Sequence, residues 1–210
     1  MSALLHVTRQ SAESRIRDLG LRREGLISAV RAAAAAVASC TSNHPPTARG
    51  WLAWCDAVVR LREEFRPDGW SADDTANFST IFDEAAGVKI AVVNTDEGAG
   101  NPALIPTNRS RRGELSKRAI ESNQLSLPYE GWNVEPIEAR RDGETTWYLC
   151  IHVVGENVRA ELSLPTSCEG GIIGGWKERI MLVSGDEDLI LGTGPVFDDG
   201  PDFEVMISRK

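Results

Sequence analysis

Residues 145–165 read TTWYLCIHVVGENVRAELSLP, and their alternation decides the fold. Trp147, Leu149, Ile151 and Val153 fall on one face of an extended chain. After the link Gly155-Glu156-Asn157, Val158, Ala160, Leu162 and Leu164 do the same. Successive side chains of a strand point to opposite faces, so this period of two around a Gly-containing link predicts a β-hairpin. Arg159, Glu161 and Ser163 occupy the other face, which predicts an antiparallel sheet with one side in water. Upstream, VEPIEARR (134–141) leads into Asp142-Gly143, a strong two-residue turn. Downstream, WKERIMLV (176–183) and FEVMISR (203–209) are further strand candidates.

The N-terminal part has a helical period instead. In LRREGLISAVRAAAAAVAS (21–39), Leu26, Val30, Ala33 and Val37 step by four, three and four, and the alanines at 32–36 favour helix. Pro45 and Pro46 stop the run. In ARGWLAWCDAVVRLREEF (48–65), Trp51, Trp54, Val58, Leu61 and Phe65 form a second stripe, closed by Pro67-Asp68-Gly69. A small-faced and a large-faced helix predict an αα-hairpin over residues 1–70. The period returns to two in NFSTIF (77–82) and VKIAVV (88–93), a predicted β-hairpin over 77–93. A long loop (94–113), a short helix (114–125, with Leu115, Ala119 and Ile120 inward) and an antiparallel sheet (133–210) follow. The expectation is one α+β domain, 1–210, with an N-terminal αα-hairpin packed on a mainly antiparallel β-sheet and one inserted short helix. No Gly/Ser- or Pro-rich linker divides it.

The 210 residues carry a formal net charge of -8, which disfavours nonspecific attraction to nucleic acid or anionic membrane. That charge is segregated. Residues 1–66 sum to +4, 67–104 to -6, 105–118 to +4 and 119–210 to -10, so surfaces of opposite sign are expected. The four cysteines (Cys40, Cys55, Cys150, Cys168) form no CxxC pair, and the N-terminus shows no secretory pattern. No apolar run reaches 18 residues. Reduced thiols and a cytoplasmic location follow as expectations, with no membrane partner.

Several stretches together, ASCTSNHPPTARGWLAW, LREEFRPDGWSADDTANFS, IAVVNTDEGAGNPALIPTNRSRRG and RAELSLP, resemble a widespread bacterial family associated with plasmids, prophages and other mobile elements. The resemblance spans most of the chain. It implies a bacterial intracellular accessory protein; the family has no assigned activity, so no catalytic residue is carried over.

The loop NTDEGAGNPALIPTNRSRRG (94–113) lacks any hydrophobic period, and long loops of that kind are usually functional or disordered. Its second half runs into a basic cluster: Asn108, Arg109, Arg111, Arg112, Lys117 and Arg118 are the candidate binding residues. Arginine forks suit phosphates and carboxylates, with Thr107 and Ser110 as neutral partners. The glycines do not fit the P-loop spacing. The bland alternative is a solvated basic loop. The acidic stretch Asp186, Glu187, Asp188, Asp198, Asp199, Asp202 and Glu204 reads as turns before it reads as a cation site or a phosphate mimic. Cys40 and His44, with Cys55 and His6, supply only half of a zinc pattern. His152, beside Tyr148 and Cys150, reads as a strand histidine without a nucleophile signature. The six tryptophans read mostly as core, with Trp132 and Trp176, flanked by glycine, the two allowed at a surface.

The function expected from sequence is a non-enzymatic, macromolecule-binding accessory protein, with a protein partner captured through 94–118 and possibilities that include inhibition of a host complex. The alternative is nucleic-acid binding by the 107–118 basic segment. A third reading is a metal-dependent hydrolase or nuclease using Asp83, Glu84, Asp96 and Glu97. No cofactor, metal or catalytic residue is assigned.

Overall fold

A computed structural model describes residues 3–125 and 144–185. Its centre is a sheet of seven strands in the order β1-β7-β6-β5-β4-β3-β2. The strands are β1 (Leu4–His6), β2 (Ser71–Asp73), β3 (Thr80–Asp83), β4 (Val88–Asn94), β5 (Thr145–Val154), β6 (Asn157–Glu169) and β7 (Ile172–Val183). Four α-helices accompany them among the described residues: α1 (Arg9–Asp18), α2 (Arg23–Ser39), α3 (Ala48–Phe65) and α4 (Glu114–Leu125). An α+β class fits. The predicted strands at 134–141 and 203–209, the acidic stretch 186–204 and Trp132 lie outside the described residues.

The sheet is mixed. β5, β6 and β7 form an antiparallel meander, with Leu149 opposite Leu162 and Leu162 opposite Ile180. β4 runs parallel to β5, Val88 opposite Thr145 through Asn94 opposite Ile151. The reason lies in the connection. A chain that leaves β4, makes a long loop and a helix and then returns can begin the next strand at the same end, which a tight turn cannot do. β1 also pairs in parallel, with β7. That strand and α1 carried too few apolar residues for a sequence period; α1 is signed only by Thr8, whose Oγ1 accepts the Ser11 N–H at 3.3 Å.

Both faces of the sheet are covered, which corrects the expectation of one solvated side. On one face, Val88, Ile90, Val92, Trp147, Leu149, Ile151, Leu162 and Leu164 share a core with α1, α2 and α3. Leu26, Val30, Ala33 and Val37 contribute the predicted stripe of α2. Gly25 lets α3 close in, because a Cβ there would lie 2.7 Å from the Phe65 ring. On the other face, Ala91, Val93, Tyr148, Cys150, Ile173 and Trp176 form a smaller cluster with Ala99 of the long loop and Ile120 of α4. Trp176 is therefore buried, not at the surface, and its ring N–H donates to the Pro106 carbonyl at 3.1 Å.

The α3 stripe also needs correction. Val58, Leu61 and Phe65 are buried, but so are Ala53 and Ala57, while Trp51 is 63 % exposed and Trp54 is half-buried. Ala53 and Ala57 join the alanine-rich α2 in the core, Trp54 packs against that core as a half-buried ring, and Trp51 stays outside it. What else the two rings face is described next.

Candidate functional site

The long loop is not a freely presented segment in its first half. Asp96 closes it: one carboxylate oxygen accepts the N–H groups of Gly98 and Thr107, each at 3.1 Å, and the other accepts the Thr107 hydroxyl at 2.5 Å. A buried ion pair then holds the loop to the sheet. Glu161 on β6 is fully buried and Arg179 on β7 nearly so. Arg179 donates from Nε to Glu161 Oε1 at 2.8 Å and from Nη2 to Oε2 at 2.6 Å. The same guanidinium donates to the carbonyls of Leu104 at 2.7 Å, and of Gly98 and Asn101 at 3.1 Å. Glu161 in turn accepts the Ser163 hydroxyl and the Gly100 N–H. Gly100 has φ +65, and a Cβ there would lie 2.1 Å from the Val183 carbonyl oxygen, so only glycine fits. Glu161 and Ser163 were assigned to water by their alternation; the loop covers them, and the charge inside is fully hydrogen-bonded.

The six predicted site residues have different fates. Asn108 is buried and structural: its amide donates to the carbonyls of Ser110 and Gly171, and its oxygen accepts the Ile173 N–H at 2.7 Å. Lys117 and Arg118 lie 3.7 and 3.6 Å from Glu114 on their own helix. Arg109, Arg111 and Arg112 do come together, along one wall of a cleft of about 750 Å³. Arg109 and Arg111 are exposed. Arg112 is half-buried, and burial pulls its pKa below the ordinary arginine value. Backbone bonds set this wall: the Arg109 N–H donates to Asn94 O at 3.0 Å and the Arg112 N–H to Gly171 O at 2.8 Å.

The opposite wall is the N-terminal end of α3, which sequence reasoning missed. It supplies Arg49, Trp51 and Trp54, the two rings 5.3 Å apart and inclined at 38°. Asn94, at the end of β4, donates to Gly50 O at 2.7 Å and ties that helix end to the sheet. The floor comes from the C-terminal ends of the parallel strands β4 and β5, with Phe78 and Ser79 at one side. Clefts outside the carboxyl ends of parallel strands are common ligand sites in open sheets. Asn77, in the same lining, holds φ 62, unusual for a residue other than glycine.

The lining holds four arginines, two tryptophans and Phe78, and no aspartate or glutamate among the described residues. Arg49, Arg109 and Arg111 make no ion pair among those residues. In a chain with 31 acidic side chains, that is a local reversal of sign. The signal that could have found the second wall is Arg49 with Trp51 and Trp54 directly after the Pro45-Pro46 stop, three large side chains crowded at a helix start.

Other candidates do not assemble. Asp83 caps the turn after β3, accepting the N–H groups of Ala85 and Ala86, at the far end of β4 from Asp96. The four carboxylates of the metal reading therefore do not converge. Among the described residues no group of three or more His, Cys, Asp or Glu is placed to hold a metal ion. His44 accepts the Thr41 N–H at 3.1 Å within the turn before α3. His152 meets the Thr95 carbonyl at 3.2 Å, and burial pushes the neighbouring Cys150 thiol well above its ordinary pKa, which leaves it a poor nucleophile. None of the described helices is long and apolar enough to cross a membrane.

Set beside known proteins, the chain matches no family model, no curated protein and no solved structure.

Proposed function

We propose that this protein is a non-enzymatic binding module that captures an anionic macromolecule in the cleft between α3 and residues 109–113. The observation that carries this reading is the lining: four arginines and no carboxylate among the described residues, none of the four arginines in an ion pair there. Packed arginines without carboxylates repel one another, and an anionic ligand relieves that repulsion with charge-assisted hydrogen bonds. The net charge of -8 over the whole chain disfavours nonspecific attraction of a polyanion, so binding would rest on this lining. The resemblance to proteins of plasmids and prophages supports an accessory role inside a bacterial cell.

The test is a titration of labelled polyanions against the intact chain and an Arg49→Ala/Arg109→Ala/Arg111→Ala variant. Arg112 stays, because it is half-buried. If the ligand is a nucleic acid, each lost phosphate contact lowers the salt slope by about 0.7 to 0.9, so the variant should lose roughly 2 to 3 units of slope. Equal binding by both proteins would refute the reading.

A second reading, a protein partner met by the loop itself, is favoured by Leu104 and Ile105. They are 43 % and 66 % exposed on a turn whose backbone Arg179 holds in place. A partner that survives nuclease treatment and is lost with Leu104→Asp/Ile105→Asp would support it.

A further inference from the structure

Resting on that reading of the cleft, we infer that its occupant is a single-stranded nucleic acid, with an unpaired base stacked on Trp51 and flanking phosphates on Arg49, Arg109 and Arg111. The arginines alone would accept any polyanion. Trp51 narrows the class. It is 63 % exposed, although a side chain of its size is usually largely buried in a monomeric protein. Trp54 lies against it at 5.3 Å between ring centroids, so the exposed ring is backed by a second ring.

Only a ligand with both charge and a flat apolar face uses everything this lining offers. Each nucleotide of a single strand carries one phosphate and one accessible base face, whereas a duplex hides its base faces inside the stack. An acidic protein segment brings carboxylates but no such face at regular spacing. Thr47, Asn77, Ser79 and Ser110 in the same lining add neutral hydrogen-bonding groups suited to sugar and base edges. Sequence selectivity is expected to be low, because every base has a π-face.

The experiment uses the full chain and four probes: a labelled oligothymidylate of about twenty nucleotides, a duplex of the same length, inorganic polyphosphate and polyglutamate. Trp51→Ala should weaken the oligothymidylate by roughly 5- to 150-fold and leave polyphosphate unchanged, and Trp51→Phe should recover most of the loss. Circular dichroism of Trp51→Ala should match the parent, since the exposed ring leaves no cavity. Three results would overturn the inference: undiminished oligothymidylate binding by Trp51→Ala, duplex held as tightly as single strand, or polyglutamate held more tightly than either. The last would assign the cleft to an acidic protein surface. If no polyanion binds at low salt, the underlying reading of the cleft fails with it; if polyphosphate alone binds, the cleft reading stands and the single-strand inference falls.

Discussion

Arg179→Met removes the group on which the docked loop depends, and its effect can be worked from the geometry. The substitution leaves the fully buried Glu161 without its bidentate partner. Removing one member of a buried pair costs about 3–5 kcal/mol, because the other is left as an uncompensated charge. The buried Gly98 carbonyl loses the guanidinium too but keeps the Asn101 N–H at 3.2 Å, so it adds little. That cost, about 3–5 kcal/mol, is a large part of a typical total of 5–15 kcal/mol. With a urea slope of about 2–3 kcal/mol per molar, the midpoint should fall by roughly 1–2.5 M. A midpoint within about 0.5 M of the parent, together with unchanged resistance of residues 96–107 to protease, would refute the reasoning. The double variant Glu161→Met/Arg179→Met sharpens it. An isolated buried pair is often replaced by apolar residues without loss. Here the buried Gly100 N–H would still lack a partner and the carbonyls of Gly98, Asn101 and Leu104 would lose the guanidinium that gathers them, so the double variant should remain destabilised.

Two further predictions concern stability elsewhere. Gly100→Ala, forced against the Val183 carbonyl, should be destabilised well beyond the about 1–2 kcal/mol of left-handed strain that Gly69→Ala carries alone, since nothing lies within 4 Å of Gly69; thermal unfolding of both measures the difference. Burial pushes the Glu178 carboxyl up, but Arg15 and His6 outweigh it and hold it below its ordinary value of 4.5. A depressed folded value means the stabilisation is complete above 4.5 and is lost as pH falls through the lowered one, so urea midpoints taken downward from about pH 6 should drop more steeply for the parent than for Glu178→Gln; parallel curves would refute this.

How much of this was legible depended on whether neighbours in sequence were neighbours in space. The α2 stripe, the 114–125 helix and the β5–β6 turn are set by local period and turn chemistry; the hairpin read over 77–93 forms over 80–94, its first three residues lying outside the strand. Glu161 was misread because alternation shows which face a side chain takes, not what covers that face. Nothing near Glu161 in sequence announces Arg179 or Gly100. Trp51 failed for a related reason: its helical step fits the stripe, but Ala53 and Ala57 fit the contact with α2 better. Of the candidate site, Arg109, Arg111 and Arg112 were visible as a charge run. Arg49 on the facing wall was not, because the cleft exists only once Asn94 has tied α3 to the end of β4.

The two parallel pairings have a consequence for synthesis. A ribosome makes β1 first of the described strands, yet its hydrogen-bonding neighbour is β7, with Leu4 opposite Glu178. The apolar face of α2 likewise emerges long before β5, a strand it packs on. Until residue 183 has left the tunnel, the nascent chain therefore carries an unpaired strand and a loop with no arginine to receive it. Holding such a chain from aggregation is work for a ribosome-bound chaperone. Among the described strands, the first made is the last whose partner arrives.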